Sequence, residues 1–126
     1  MQEGFTFLGF LFVKNWKIPS EKAIKAFKEE IKLVTRKNTP QSREELIRRA
    51  NEVIRGWGNF FKYGDSWRVF EELDKYIRMR VRAFLDKKKV VYYANYRYPN
   101  NLLKRWGLVY LMDFYSGNTY SLLRGQ

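Results

Sequence analysis

Arg55-Gly56-Trp57-Gly58-Asn59-Phe60-Phe61 stands near the middle of a 126-residue chain, and its pattern decides the fold. Leu46, Ile47, Ala50, Val53, Ile54, Trp57, Phe60 and Phe61 recur at steps of three and four, as one buried face of a helix does. After a break at Gly64-Asp65-Ser66, the rhythm resumes with Trp67, Phe70, Leu73, Ile77, Phe84 and Leu85. Two amphipathic helices therefore share an aromatic core, with Trp57, Phe61, Phe70 and Ile77 at its structural centre. Arg48, Arg49, Arg55, Lys62, Lys75, Arg78, Arg80 and Arg82 stand between and around the apolar positions. Arginine is displayed outward.

Working outward, Ser42-Arg43-Glu44-Glu45 predicts the start of the first of these helices, with a serine cap and a glutamate three positions on. That helix is expected to run to about Tyr63. Gly56 and Gly58 lie inside it, and a mid-helix glycine costs roughly 1 kcal/mol relative to alanine. Close packing around Trp57 explains such glycines, and so does a bare backbone that a ligand or nucleic-acid strand approaches. Upstream, Ser20 caps an earlier helix whose buried stripe is Ile24, Phe27, Ile31 and Val34, with Lys22, Lys25, Lys28 and Lys32 on its other side. It ends near Asn38, and Thr39-Pro40 forces an extended link. Downstream, Ser66 caps a third helix from Trp67 to about Lys88. Lys75, Arg78 and Arg82 share one exposed stripe of it. From Lys75 to Lys89 seven basic residues face one acid, Asp86, and Lys87-Lys88-Lys89 extend the stripe. A charge run is often only a solvated face, but these arginines outnumber their acidic partners, which favours phosphate binding.

The two ends differ from the helical centre. Phe5 to Val13 reads as one aromatic strand, with Lys17-Ile18 pairing back in a small hairpin. Its apolar density suggests that it lies against a partner. Val90 to Tyr98 is tyrosine-rich and β-leaning; a short helix over Leu102 to Trp106, an apolar segment from Leu108 to Met112 and a turn at Ser116-Gly117-Asn118 follow. These tyrosines, beside Arg97, Lys104 and Arg105, either cap a small core or stack on bases. The predicted fold is mostly α: a three-helix bundle with a small N-terminal β-hairpin and an aromatic-rich C-terminal extension. The predicted segments are 1–19, 20–89 and 90–126.

Composition limits the chemistry. The chain is 45% hydrophobic and 18% aromatic, too rich in core formers for a disordered tail. Its 25 Lys and Arg against 13 Asp and Glu leave a net charge of +12, which points to a polyanionic partner. With no cysteine and no histidine, disulfides, thiolate metal sites, Ser-His or Cys-His nucleophiles and His-ligated zinc are excluded. The carboxylate clusters Glu44-Glu45 and Glu71-Glu72-Asp74 lie among surface arginines with salt bridges available, so no metal or cofactor is expected. The uncharged run from Gly4 to Val13 is far short of the roughly 20 apolar residues that span a bilayer. It also lacks a signal peptide's basic start. No membrane partner is expected, and the default location is cytoplasmic.

The run from Arg49 through Arg55-Gly56-Trp57-Gly58-Asn59-Phe60-Phe61 resembles the signature of the maturase-specific domain of group II intron-encoded reverse transcriptases, also called domain X or the thumb. Phe70-Glu71-Glu72-Leu73-Asp74-Lys75-Tyr76-Ile77-Arg78-Met79-Arg80-Val81-Arg82 resembles the second half of that signature. Phe7-Leu8-Gly9-Phe10 looks like the element that closes the palm just before the thumb. The resemblance covers about Phe5 to Phe84 in order and spacing. It implies a three-helix thumb that grips intron RNA and the template–primer duplex, assisting splicing and reverse transcription. The fingers and palm that carry the polymerase aspartates are missing, and Tyr93-Ala94-Asn95-Tyr96 has no aspartate to hold a two-metal site. The chain therefore reads as a fragment or remnant without catalysis of its own, working with fingers and palm in cis or in trans.

The expected RNA-binding residues are Arg48, Arg49, Arg55, Asn59, Lys75, Arg78, Arg82, Lys87, Lys88 and Lys89. The expected partners are structured intron RNA and an RNA–DNA duplex. The rival reading is a basic helical module that binds DNA or docks a protein, without intron specificity.

Overall fold

The computed structural model describes residues 4–13, 16–65, 67–86 and 94–115. Strands β1 (Phe5–Phe7), β2 (Phe10–Val13) and β3 (Trp16–Pro19) precede three long helices, α1 (Glu21–Val34), α2 (Arg43–Phe61) and α3 (Trp67–Leu85). A C-terminal arm then carries two short helices, α4 (Ala94–Arg97) and α5 (Asn100–Arg105), and a 3-10 turn at Leu111–Asp113. The protein is mostly helical with a small antiparallel sheet.

The expected single N-terminal strand is two. Leu8 and Gly9 both take positive φ, 53° and 85°, and reverse the chain between β1 and β2. The hairpin thus becomes a three-stranded sheet in the order β1-β2-β3, with Phe5 opposite Phe12 and Phe10 opposite Pro19. A leucine in the left-handed region is not a turn signal, which is why Phe5 to Val13 looks continuous in sequence. Packing favours a bare backbone at the next position: a Cβ on Gly9 would stand 3.2 Å from Cζ of Phe61.

The helix starts follow the local chemistry of the chain. Ser20 Oγ accepts from the backbone N–H of Ala23 and Ser42 Oγ from that of Glu45, both at 3.1 Å. The carboxylate of Glu45 pairs with Arg48. α2 ends at Phe61, two residues before the expected Tyr63, and α3 ends at Leu85 instead of near Lys88. Ser66 lies outside the described residues.

One core joins all the parts. Phe27, Ile31 and Val34 from α1 meet Leu46, Ile47, Ala50, Ile54 and Phe61 from α2 and Phe70, Leu73, Ile77, Val81 and Phe84 from α3. Trp57 is half-buried at the junction, its ring centroid 5.0 Å from Phe27, 4.3 Å from Phe61 and 5.7 Å from Phe70. The sheet docks through Phe10, 4.7 Å from Phe61. Asp65 ties the α2–α3 loop to β3: its backbone N–H donates to Lys17 O at 2.8 Å, and its carboxylate accepts from Lys17 N–H at 3.0 Å. Phe60, expected on the buried face, is 54% exposed, and Trp67 is 47% exposed.

The arm belongs to the same core. Leu103, Leu108, Tyr110 and Leu111 are buried in it. The expected short helix is present over Asn100–Arg105, whereas the β-leaning stretch ends in the helical turn Ala94–Arg97. Residues 87–93 and the expected turn at Ser116-Gly117-Asn118 lie outside the described residues.

Candidate nucleic-acid interface

The arm fills the groove between α2 and α3, and two polar residues inside otherwise apolar helix faces hold it there. Asn51 of α2 donates through Nδ2 to Gly107 O at 2.8 Å, and its Oδ1 accepts from Val109 N–H at 2.9 Å. Asp74 of α3 accepts from the backbone N–H groups of Leu111 at 2.7 Å and Met112 at 3.1 Å. Both side chains are buried, so each has its own polar atoms satisfied by the arm's backbone, and the buried Leu111 N–H finds in Asp74 the acceptor that water cannot supply. Burial pushes the Asp74 carboxyl up from 3.8 to about 6, against the opposing pull of the Leu111 and Met112 N–H groups and of Arg78.

Asp74 is therefore not the surface carboxylate its neighbours suggested. Glu72 fits that description, pairing with Lys75 at 3.5 Å. A signal for Asp74 was present: with Phe70, Ile77 and Val81 it falls on the α3 stripe that faces the core. Asn51 interrupts the α2 stripe in the same way. Among the described residues no group of three or more Asp or Glu side chains is placed to hold a metal ion.

Gly58 owes its place to the arm. A Cβ there would meet Phe114 Cδ2 at 3.2 Å and its Cβ and Cγ at 3.3 Å. Around Gly56, by contrast, a Cβ would find nothing within 4 Å. The two glycines thus have different causes. Close packing accounts for Gly58, and the fold makes no demand for glycine at Gly56.

The cationic residues expected on one exposed stripe are sorted by the arm into different environments. Lys75 is exposed, but Arg78 and Arg82 are half-buried. Arg78 lies over the Tyr110 ring, 5.3 Å from its centroid. Arg82 donates through Nε to Tyr98 O at 2.7 Å and through a terminal nitrogen to Asn100 Oδ1. Burial and the like charge of Arg78 lower the pKa of Arg82, while burial raises that of Tyr110. Periodicity marked both arginines as outward; the arm covers what would otherwise be solvent.

On α2, Arg48 is held by Glu45 at 2.7 Å and Glu52 at 2.5 Å. Arg49 donates to Gln41 Oε1 at 2.7 Å, and Gln41 Nε2 donates in turn to Val34 O at 2.7 Å, binding α2 to the end of α1. Arg55 and Asn59 are exposed one turn apart, and Arg55 has no carboxylate partner among the described residues. Lys87, Lys88 and Lys89 lie outside the described residues.

Several polar contacts escaped the sequence pattern. Arg43 lies 4.1 Å from the Trp106 ring centroid. Arg80 donates through Nε to Thr35 Oγ1 at 3.0 Å and through a terminal nitrogen to Lys32 O at 3.3 Å, a favourable place for a cation at the end of α1. Arg97 pairs with buried Asp86. Lys104 and Arg105 project from the arm as exposed cations, Lys22 and Lys25 do so from α1, and Arg36 does so just beyond its end.

No helix among the described residues is long and apolar enough to cross a membrane. No curated protein matches the chain significantly. The family model described as "Group II intron, maturase-specific domain" matches residues 24–106, which covers most of α1, all of α2 and α3 and the first half of the arm. The chain belongs to the group II intron maturase-specific domain family.

Proposed function

We propose that this chain binds structured intron RNA through its phosphate backbone, assisting splicing, and that it contributes no polymerase chemistry of its own. The observation that carries this reading is the placement of cations on both flanks of the docked arm. Arg55 and Asn59 stand on the α2 side, Arg78 and Arg82 on the α3 side, and Lys104 and Arg105 on the arm itself. The arm rigidifies that surface through Asn51 and Asp74, so the charges are held in register before RNA arrives. Phosphate contacts of this kind give affinity and register without reading sequence.

Within the reading, Arg55 and Lys75 contact phosphate directly, as do Lys87, Lys88 and Lys89. Arg49 contributes positive field while tied to the neutral Gln41, whereas Arg48 reaches RNA only by leaving Glu45 or Glu52. Arg78 and Arg82 have donors left over from their contacts with the arm, because a guanidinium carries five N–H groups. A template–primer RNA–DNA duplex is a second ligand of the same surface, with reverse transcriptase fingers and palm supplied in cis or in trans.

Filter binding of a structured intron RNA over a salt series tests the proposal. Neutralising about five to eight phosphates gives a log–log slope near −4 to −7, taking roughly 0.7–0.9 per contact. A slope near zero removes the electrostatic account. Equal affinity for a duplex DNA of the same length would favour the general DNA-binding module instead.

A further inference from the structure

A shallow groove of about 350 Å³ runs between α1 and α2, away from the arm. Its wall is Trp57 and Phe60, its floor includes the bare backbone at Gly56, and Glu30 and Glu52 rim it. An adjoining depression of about 280 Å³ shares Glu30 and adds Leu33, which is 53% exposed, with Glu29 on the same side and Lys32 and Arg36 at the far end. Phe60 is braced on one side, its ring centroid 5.7 Å from that of Phe10 and 4.8 Å from that of Phe61. Among the described residues Glu29 and Glu30 form no salt bridge, while Glu52 is shared with Arg48.

We propose that this α1–α2 groove docks a basic segment of a protein partner, with an arginine side chain laid over Gly56 and stacked against Trp57 or Phe60. Charge complementarity selects the occupant. On a chain of net charge +12, this groove combines open aromatic surface with the unpaired carboxylate of Glu30, beside that of Glu29 in the adjoining depression, which disfavours a phosphodiester strand and attracts a cation. A guanidinium suits it because the planar group stacks on an aromatic face while donating to a carboxylate at its edge. Exposed Leu33 and Phe60 take an apolar neighbour in the same segment. Gly56 completes the argument. The fold leaves open space around a Cβ there, so a residue that weakens its own helix is accounted for by an occupant lying against the bare backbone.

The probe is a fluorescein-labelled hexapeptide of alternating arginine and leucine, read by anisotropy against the whole chain. The NMR signal of the Trp57 indole locates the contact. Binding is expected to move that indole signal and to weaken about tenfold in Gly56→Leu, which fills the floor. It is expected to weaken about fivefold in Glu30→Gln, which leaves the helix surface otherwise unchanged. Neither variant is expected to change affinity for the intron RNA. Peptide affinity unchanged in both variants, or an unmoved indole signal, overturns the proposal. So does displacement of the peptide by a single-stranded uridine oligonucleotide, which would assign the groove to nucleic acid.

Discussion

Asp74 on α3 accepts the backbone N–H of Leu111 at 2.7 Å, across 37 residues of chain, from a position with 3% of its surface exposed. This contact closes the arm onto the long helices. Because burial raises the carboxyl from 3.8 to about 6, protonation favours the folded state. Its stabilising contribution is full below pH 3.8 and is lost as the pH rises through 6. In Asp74→Asn that titration is gone. The stability gap between the natural chain and the variant should therefore widen in favour of the natural chain as pH falls from 7 to 4, by up to about 3 kcal/mol. Urea unfolding at several pH values measures it, and a gap that narrows on acidification contradicts the burial argument.

Arg82 is a clamp on the arm as well as a cation. Replacing it with alanine leaves Tyr98 O and Asn100 without their donor, and the cost should be about 1–3 kcal/mol, more than an exposed arginine would show. Lysine at the same position cannot serve both acceptors with one fork and should restore only part of the loss. Thermal melts rank the three proteins. If Arg82 also meets phosphate, the salt slope for RNA falls by roughly one unit.

Trp57→Ala should remove the aromatic junction between Phe27, Phe61 and Phe70 at a cost of roughly 3–5 kcal/mol, toward the lower end because the ring is half-buried. A calorimetric melt that shifts only slightly would show that the neighbouring rings close the gap.

The two helix glycines should respond differently to the same substitution. Gly56→Ala meets open space and gains helix propensity, raising stability by up to about 1 kcal/mol. Gly58→Ala gains the same propensity but forces Phe114 to give way from 3.2 Å, so it should end about 1 kcal/mol below Gly56→Ala or lower. Equal melting temperatures for the two variants would mean that the arm yields freely at Phe114.

Local physics made much of this protein legible in its sequence. The three long helices follow from apolar residues at steps of three and four, and their starts from Ser20 and Ser42, because both signals depend on neighbours within one or two turns. The family is likewise carried by a contiguous run around Arg55 to Phe61. What no local pattern holds is the docking of the arm, since Asn51 meets Gly107 and Val109, and Asp74 meets Leu111 and Met112, across dozens of residues. Helical periodicity places Arg78 and Arg82 on a face but cannot tell whether water or another segment covers it. The turn at Leu8 and Gly9 escaped for a related reason: Gly9 fits where Phe61 of α2 comes close, and only the packed fold brings that ring there. Sequence alone determined the helices, their caps, the positive charge and the kinship; tertiary packing decided which polar and cationic side chains hold the fold and which remain exposed, because that depends on contacts between segments distant in the chain.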